Sequence, residues 1–467
     1  MDQAQLSIED APVGATPFSF CVIGDTDFGD HHDPAAIAFN EAFSQQVMSH
    51  LEPSRFLLHT GDVTYPTGSF QNYFHGFLEP YRALLDQPLF SPAYRASNVV
   101  FNRPVLPVMG NHDYATQPTF ARFRQRLQRL GCDALRAALG IDLGHYGGEG
   151  GEAFGQTFLD DLSKLSDQDL TAHLLAHYSA KVPSATTTQT RYCLNYRPGQ
   201  FTRLPNRYYT FHYGGIDFFA LDSNTWNMPP ESKDFDHEQL AWLETSLINS
   251  WQNPNTIGRI VYLHHSPYTT EASRCHQLDT LWVRKHLRQV FDQVSLNRQL
   301  SAHLGNHNES HSGNRNGNRH RQAQRNNSPA VVDLVISGHA HCLEHLKTTH
   351  TGHADAATDW LVCGGSGTGL RRQRSSEKMI LENFFERGRS DTRLVAQSQV
   401  YAGAHGTRRA SHNFHSFVRI DIQPHQQQMI RICPFIITLI QGQWHSRALN
   451  PIPIETSLPL RYASYAA

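Results

Sequence analysis

Eight side chains have types and positions that could do chemistry: Asp25, Asp62, Tyr65, Asn111, His112, His265, His339 and His341. They combine hard oxygen donors with imidazoles, the ligand mix of two adjacent cations of the Fe, Zn or Mn type. A carboxylate has two oxygens and can bridge two such ions. The Asn carbonyl adds a ligand without adding charge. His339 and His341 are two residues apart, so on an extended backbone they point to the same side. The chain is rich in the commonest metal-ligating side chain, with 29 histidines.

The elements that must position these groups are short apolar runs, each ending in a polar cluster. Phe18–Ile23 runs into Gly24-Asp25, Arg55–Thr60 into Gly61-Asp62, and Pro104–Met109 into Gly110-Asn-His-Asp113. Arg259–Leu263 runs into His264-His265, and Val331–Ser337 into Gly338-His-Ala-His341. These runs are too short for helices and too apolar for exposed strands, so they read as central strands of a buried sheet. Between them lie helical patterns at Pro34–Leu51 (capped by Asp33), Gln71–Leu85 and Glu238–Trp251. The alternation predicts an α/β fold with the clusters at the carboxyl ends of the strands, where ligands bind. A hairpin at Arg207–Tyr213 and Ile216–Leu221, with strands at Trp360–Cys363 and Phe414–Ile422, exceeds what one layer needs. Two stacked sheets flanked by helices are expected. One Gly-Asp after a strand is ordinarily a turn; five clusters at five strand ends make a site.

The ordered set Gly24-Asp25, Gly61-Asp62-Val-Thr-Tyr65, Gly110-Asn-His-Asp113, His265-Ser-Pro-Tyr268 and Gly338-His-Ala-His341 resembles the calcineurin-like metallophosphoesterase superfamily. Within it, the set is most similar to the purple acid phosphatases. Two positions carry that narrower likeness. Asp25-Thr26-Asp27 stands where most of the superfamily has Asp-x-His, and Tyr65 lies three residues after Asp62. Asp27 departs from the glycine usual there, and reads as an acceptor behind the ligands or a solvated loop acid.

The resemblance implies a four-layer αββα sandwich of two mixed sheets flanked by helices. It implies a ferric ion on Asp25, Asp62, Tyr65 and His341, and a divalent ion (Fe, Zn or Mn) on Asp62, Asn111, His265 and His339. His265 is preferred over His264 because it directly precedes Ser-Pro-Tyr. The implied activity is hydrolysis of phosphate monoesters by attack of a metal-bound hydroxide. His112 would protonate the leaving group, with Asp113 orienting its imidazole. Phosphodiester or nucleotide hydrolysis is the alternative on the same site, and a non-catalytic metal-binding protein a more distant one. The expected partner is a small-molecule phosphate ester. Gly364–Gly369 lacks the Lys-Ser/Thr ending of a nucleotide-binding loop and reads as a close-packed turn, with Arg371 and Arg372 as solvated surface.

Composition closes other routes. Of 467 residues, 39% are hydrophobic and 18% charged, enough to bury a core. A net charge of −2 gives no global attraction to nucleic acid or an anionic membrane. No run is apolar and long enough to span a bilayer, and residues 1–11 carry no secretory pattern. The seven cysteines are odd in number, widely spaced and without a CxxC pair. A reducing cytoplasm is therefore expected. The domain reading is a flexible N-terminus over 1–15, one metallophosphoesterase domain over 16–425, and a C-terminal extension over 426–467 that packs on it. Insertions are expected at about 120–190, as a cover for the site, and at about 300–329, as a mobile Asn-, His- and Arg-rich loop.

Overall fold

Side-chain alternation along the strands decides the architecture. In Gly258–Leu263, Ile260 and Tyr262 join one apolar cluster, while Val261 and Leu263 join another. Leu334–Ser337 does the same with Leu334 and Ile336 against Val335, and Asp359–Cys363 with Leu361 and Cys363 against Trp360 and Val362. A strand with both faces apolar must be covered on both sides. The computed structural model shows how; it describes residues 4–28, 31, 33–87, 99–114, 151–162, 165–181, 191–306, 330–367, 369–374, 378–386, 389–407, 410–424, 426 and 428–454.

Among them, two mixed sheets stack face to face. The larger has eleven strands, in the order Met379–Glu386, Arg389–Ala402, Leu343–Thr348, Asp359–Cys363, Leu334–Ser337, Gly258–Leu263, Ile216–Ala220, Tyr209–Tyr213, Gln5–Ile8, Arg191–Tyr196 and Tyr178–Lys181. The smaller runs Gln443–Ala448, Ile430–Ile440, His415–Ile422, Phe18–Ile23, Leu57–His59 and Val105–Pro107, with Ile452–Ile454 also paired to Ile430–Ile440. Aromatic rings lock the layers together: Phe218 of the larger sheet meets Phe20 and Phe56 at centroid distances of 5.4 and 5.6 Å. Burying such a side chain contributes roughly 1.5–3 kcal/mol.

Helices close the outer faces. Pro34–Leu51 lays Phe39, Phe43 and Val47 on the smaller sheet, with Phe43 edge-on to Phe417 at 6.0 Å. Its first turn is capped by Asp33, which accepts from the Ala35 N–H at 2.9 Å. His237–Gln252 and Leu278–Asn306 cover the larger sheet through Leu243, Leu247, Leu287, Val290 and Phe291. The expected α/β sandwich of two mixed sheets with flanking helices is the fold observed.

Four expectations about the elements differ. Gln5–Ile8, set apart as flexible, is a strand of the larger sheet, parallel to both Tyr209–Tyr213 and Arg191–Tyr196. Its Leu6 and Ile8 are buried, and that apolar alternation anchors it. Gln71–Leu85 is not one helix. It divides into an α-turn at Phe70–Tyr73, a π-turn at Phe74–Leu78 and a 3₁₀ turn at Arg82–Leu84. Pro80 lacks an N–H and disfavours helix at the residue before it. The helix Leu278–Asn306 runs on through residues read as mobile from Ser301; 307–329 lie outside the described residues, as does much of 120–190. Ile430–Ile440 pairs through Ile430–Ile437 with the whole of His415–Ile422 and is an integral strand. No helix among the described residues is long and apolar enough to cross a membrane.

Two sets of parallel strands converge on one edge. Phe18–Ile23, Leu57–His59 and Val105–Pro107 run parallel in the smaller sheet. Gly258–Leu263, Leu334–Ser337 and Asp359–Cys363 run parallel in the larger. Their carboxyl ends carry the polar clusters, and backbone bonds tie them: Asp25 N–H to Gly61 O at 3.0 Å, Gly338 N–H to His264 O at 2.9 Å.

Candidate metal centre

Asp25, Asp62 and His339 turn out of their strands with left-handed backbones, at φ of 53°, 50° and 67°. That region is costly for side chains other than Gly, and Asp and His reach it more readily than most. The turns leave both carboxylates buried, at 0% and 1% exposure. Gly110 is required beside them, since a Cβ there would lie 2.2 Å from Asp62 Oδ1. Gly367 is required too, its Cβ position being 2.5 Å from the Asp25 carbonyl. The described part of Gly364–Gly369 is thus a close-packed turn against the site.

Tyr65 reaches into the cluster. Its hydroxyl lies 3.0 Å from Asp25 Oδ1, 2.9 Å from Asp62 Oδ2 and 3.2 Å from His341 Nε2. Asp27 sits behind it as a buried acceptor. Its Oδ2 takes the Tyr65 N–H at 3.1 Å and the Thr64 hydroxyl at 3.2 Å, and its Oδ1 the Asn40 amide at 3.1 Å.

His265, the histidine favoured by its place before Ser-Pro-Tyr, comes near His339 and Asp279 but is not the one that reaches Asn111 and Asp62. His264 is. Its Nε2 lies 3.0 Å from Asn111 Oδ1, 3.1 Å from His339 Nδ1 and 3.5 Å from Asp62 Oδ2. His265 instead pairs with Ser223, through Nδ1 at 2.9 Å, and lies 3.4 Å from the Asn227 amide. Strand parity is the reason. Ile260 and Tyr262 face the smaller sheet and His264 continues that face, while His265 follows Val261 and Leu263 toward the helices. That signal was present in the sequence.

The outward nitrogens of these imidazoles reveal what the inward ones hold. His264 Nδ1 lies 2.9 Å from the Thr60 carbonyl, His341 Nδ1 3.2 Å from the Gly369 carbonyl, and His339 Nε2 3.1 Å from Asp279 Oδ2. A carbonyl or carboxylate only accepts, so each of these nitrogens carries a hydrogen. The opposite nitrogens therefore hold lone pairs. His264 Nε2, His339 Nδ1, Asn111 Oδ1 and Asp62 Oδ2 converge as four acceptors with no donor among them. Asp25 Oδ1, Asp62 Oδ2 and His341 Nε2 share the one proton of Tyr65. Buried acceptors facing one another are costly unless a cation lies between them, so the donor set fits metal ions.

The electrostatics agree. Burial, with Asp62 alongside, pushes the Asp25 carboxyl well above the usual range. Burial and the same two carboxylates push the Tyr65 phenol up. Burial holds the His264, His265 and His341 imidazoles well below theirs, neutral and able to ligate. Each direction expresses the protein alone, and a bound cation inverts it for the carboxylates and phenol.

His112 is buried over the Tyr65 ring at a centroid distance of 4.4 Å. Its backbone N–H donates to Asp62 Oδ1 at 2.7 Å, and its Nδ1 donates to the Pro66 carbonyl at 3.0 Å. Pro66, not Asp113, therefore orients this imidazole. Asp113 points elsewhere and accepts from the Gly110 N–H (2.8 Å), the Val63 N–H (3.1 Å) and the Tyr73 hydroxyl (2.6 Å). Burial and nearby Asp62 push its carboxyl up to about 8. Asp279, in the first turn of Leu278–Asn306, has no local sequence signal; only the fold brings it to His339, sixty residues on.

The fold and this edge-of-sheet site define a metallophosphoesterase. The chain matches the model of the calcineurin-like phosphoesterases over residues 18–343 and belongs to that family. No curated protein matches it. Among solved structures it is similar to a purple acid phosphatase from seeds of yellow lupin (Lupinus luteus), at 13% identity and a TM-score of 0.46, over 94% of this chain and 55% of the lupin protein. It is also similar to GAP50, the anchor in the inner membrane complex of Plasmodium, at 12% identity and a TM-score of 0.39, over 94% and 89% of the two chains.

Proposed function

We propose that this phosphoesterase is a binuclear-metal phosphatase of the purple acid type, acting on phosphate monoesters. The observation that carries the reading is the Tyr65 hydroxyl between Asp25 and Asp62 and beside His341. A phenolate is a hard, charged ligand suited to ferric iron. Asp25, Asp62, Tyr65 and His341 would hold that ion; Asp62, Asn111, His264 and His339 would hold a divalent Fe, Zn or Mn. The anionic groups divide accordingly. Asp25, a Tyr65 phenolate and a shared Asp62 face the first position. The second has the shared Asp62, with Asp279 behind His339.

Two such cations, when bound, neutralise the phosphoryl oxygens and make water a nucleophile near neutral pH. The remaining work belongs to side chains. His112, held by Pro66 and tilted against Tyr65, presents its Nε2 edge as the group that protonates the departing alkoxide. Burial of the ligand cluster excludes bulk water and strengthens each charge interaction. All six described cysteines are free and buried, which suits work in the cytoplasm.

Metal analysis with a visible spectrum tests the reading, on wild-type protein and Tyr65→Phe. About one iron and one further metal per chain, a broad visible band that bleaches in the variant, and hydrolysis of p-nitrophenyl phosphate are expected. A colourless protein with two zinc or manganese ions would remove the ferric–phenolate assignment. No hydrolysis of any phosphate ester by the metal-loaded protein would remove the phosphatase.

A further inference from the structure

The three inward-facing imidazoles are not held alike. His264 and His341 rest their outer nitrogens on backbone carbonyls, of Thr60 and Gly369, whereas His339 rests its Nε2 on a carboxylate, Asp279 Oδ2, at 3.1 Å. Both partners are buried, with side chains 3% and 9% exposed. Asp279 is itself fixed, since its other oxygen accepts the Thr280 N–H at 2.6 Å in the first turn of Leu278–Asn306. A carboxylate on the outer nitrogen sets the tautomer, holds the ring plane and makes the inner nitrogen a stronger donor than a carbonyl partner does.

We infer that Asp279 is the positioning residue of the divalent ion: it fixes His339 as the Nε2–H tautomer and so directs the Nδ1 lone pair toward His264, Asn111 and Asp62. The inference rests on the two-ion reading above and goes beyond it. It makes the long helix covering the larger sheet part of one metal site and not of the other. His265 lies against the same carboxylate, the ligand atoms of His265, Asp279 and His339 being within 4.8 Å of one another. A third cation among those three would require His339 to ligate through both nitrogens, with neither carrying a hydrogen. The hydrogen bond to Asp279 uses the Nε2 hydrogen instead.

The test uses the full chain loaded with iron and zinc. Zinc affinity is read by chelator competition and metal content by mass spectrometry, in wild type and in Asp279→Asn. The expected result is zinc binding weaker by about 10- to 100-fold with iron content and the visible band unchanged. On the metal-free wild-type protein, ¹⁵N–¹H correlation spectra should show His339 protonated at Nε2 and bare at Nδ1. This second measurement holds whether or not the variant folds. Zinc affinity within twofold of wild type in a folded variant, or a proton on Nδ1, overturns the role of Asp279 and leaves the two-ion reading standing. Three ions per wild-type chain, one of them lost in Asp279→Asn, would replace it with a third metal site. A wild-type chain that takes up no second ion overturns the two-ion reading, and this inference with it.

Discussion

His264 and His265 are adjacent and chemically identical, so replacing each with alanine isolates geometry from composition. His264→Ala removes an imidazole whose Nε2 lies within 3.5 Å of Asn111 Oδ1, His339 Nδ1 and Asp62 Oδ2. On the proposed reading, one of four ligands for the divalent ion is then gone. Loss of a partner behind a ligand alone costs 10- to 100-fold in metal affinity, so a direct ligand should cost about 100-fold or more. His265→Ala removes the hydrogen bond to Ser223 at 2.9 Å and leaves a buried hydroxyl without it. That costs about 1–3 kcal/mol of folding stability and should change zinc affinity by less than about fivefold. Equilibrium dialysis across a buffered zinc series, with urea unfolding of the metal-free variants, separates the two effects. If His265→Ala loses the divalent ion and His264→Ala keeps it, the parity argument is wrong and the ring of His265 must turn inward on metal binding.

Two further predictions rest on separate features. His112→Ala should slow an alkyl phosphate by about 10²–10⁴-fold in kcat. A nitrophenyl phosphate, whose leaving group needs no proton, should be slowed far less, and equal losses on both would remove the acid role. His415 is buried between Phe39 and Trp444, beside the Gly367 turn, and burial lowers its imidazole to about 4. A histidine depressed in the fold is protonated first in the unfolded chain. Its stabilising contribution is therefore full above the unfolded value of about 6.5, and is lost as pH falls from there through about 4. The loss is on the order of 3 kcal/mol, so His415→Phe should lose that much less stability than wild type between pH 7.5 and pH 4 in urea unfolding. Parallel losses in the two proteins would refute it.

Much of the candidate site was legible because its side chains sit where strands end, and strand ends are marked locally. Gly24-Asp25, Gly61-Asp62, Gly110-Asn-His and Gly338-His-Ala-His each interrupt an apolar run with small or polar residues that can turn sharply. Positive φ at Asp25, Asp62 and His339 is the backbone form of that interruption. The choice between His264 and His265 was legible too, through the period of two, but proximity to Ser-Pro-Tyr pointed the other way. Pro80 likewise foretold the broken helix near Gln71–Leu85. Residues 1–15 misled because four residues, Gln5–Ile8, are too few for a pattern to stand out, and they become a strand only between two partners found near residues 194 and 210.

The sequence by itself determined the class of fold and the strand ends that carry the candidate side chains, because periodicity and turn chemistry are local. The tertiary structure alone decided how those side chains are held: Pro66 rather than Asp113 behind His112, Asp27 as a buried acceptor behind Tyr65 rather than a solvated loop acid, and Asp279 behind His339. Such contacts join segments up to sixty residues apart. They follow from how two sheets and a covering helix pack, and no local pattern in the chain encodes them.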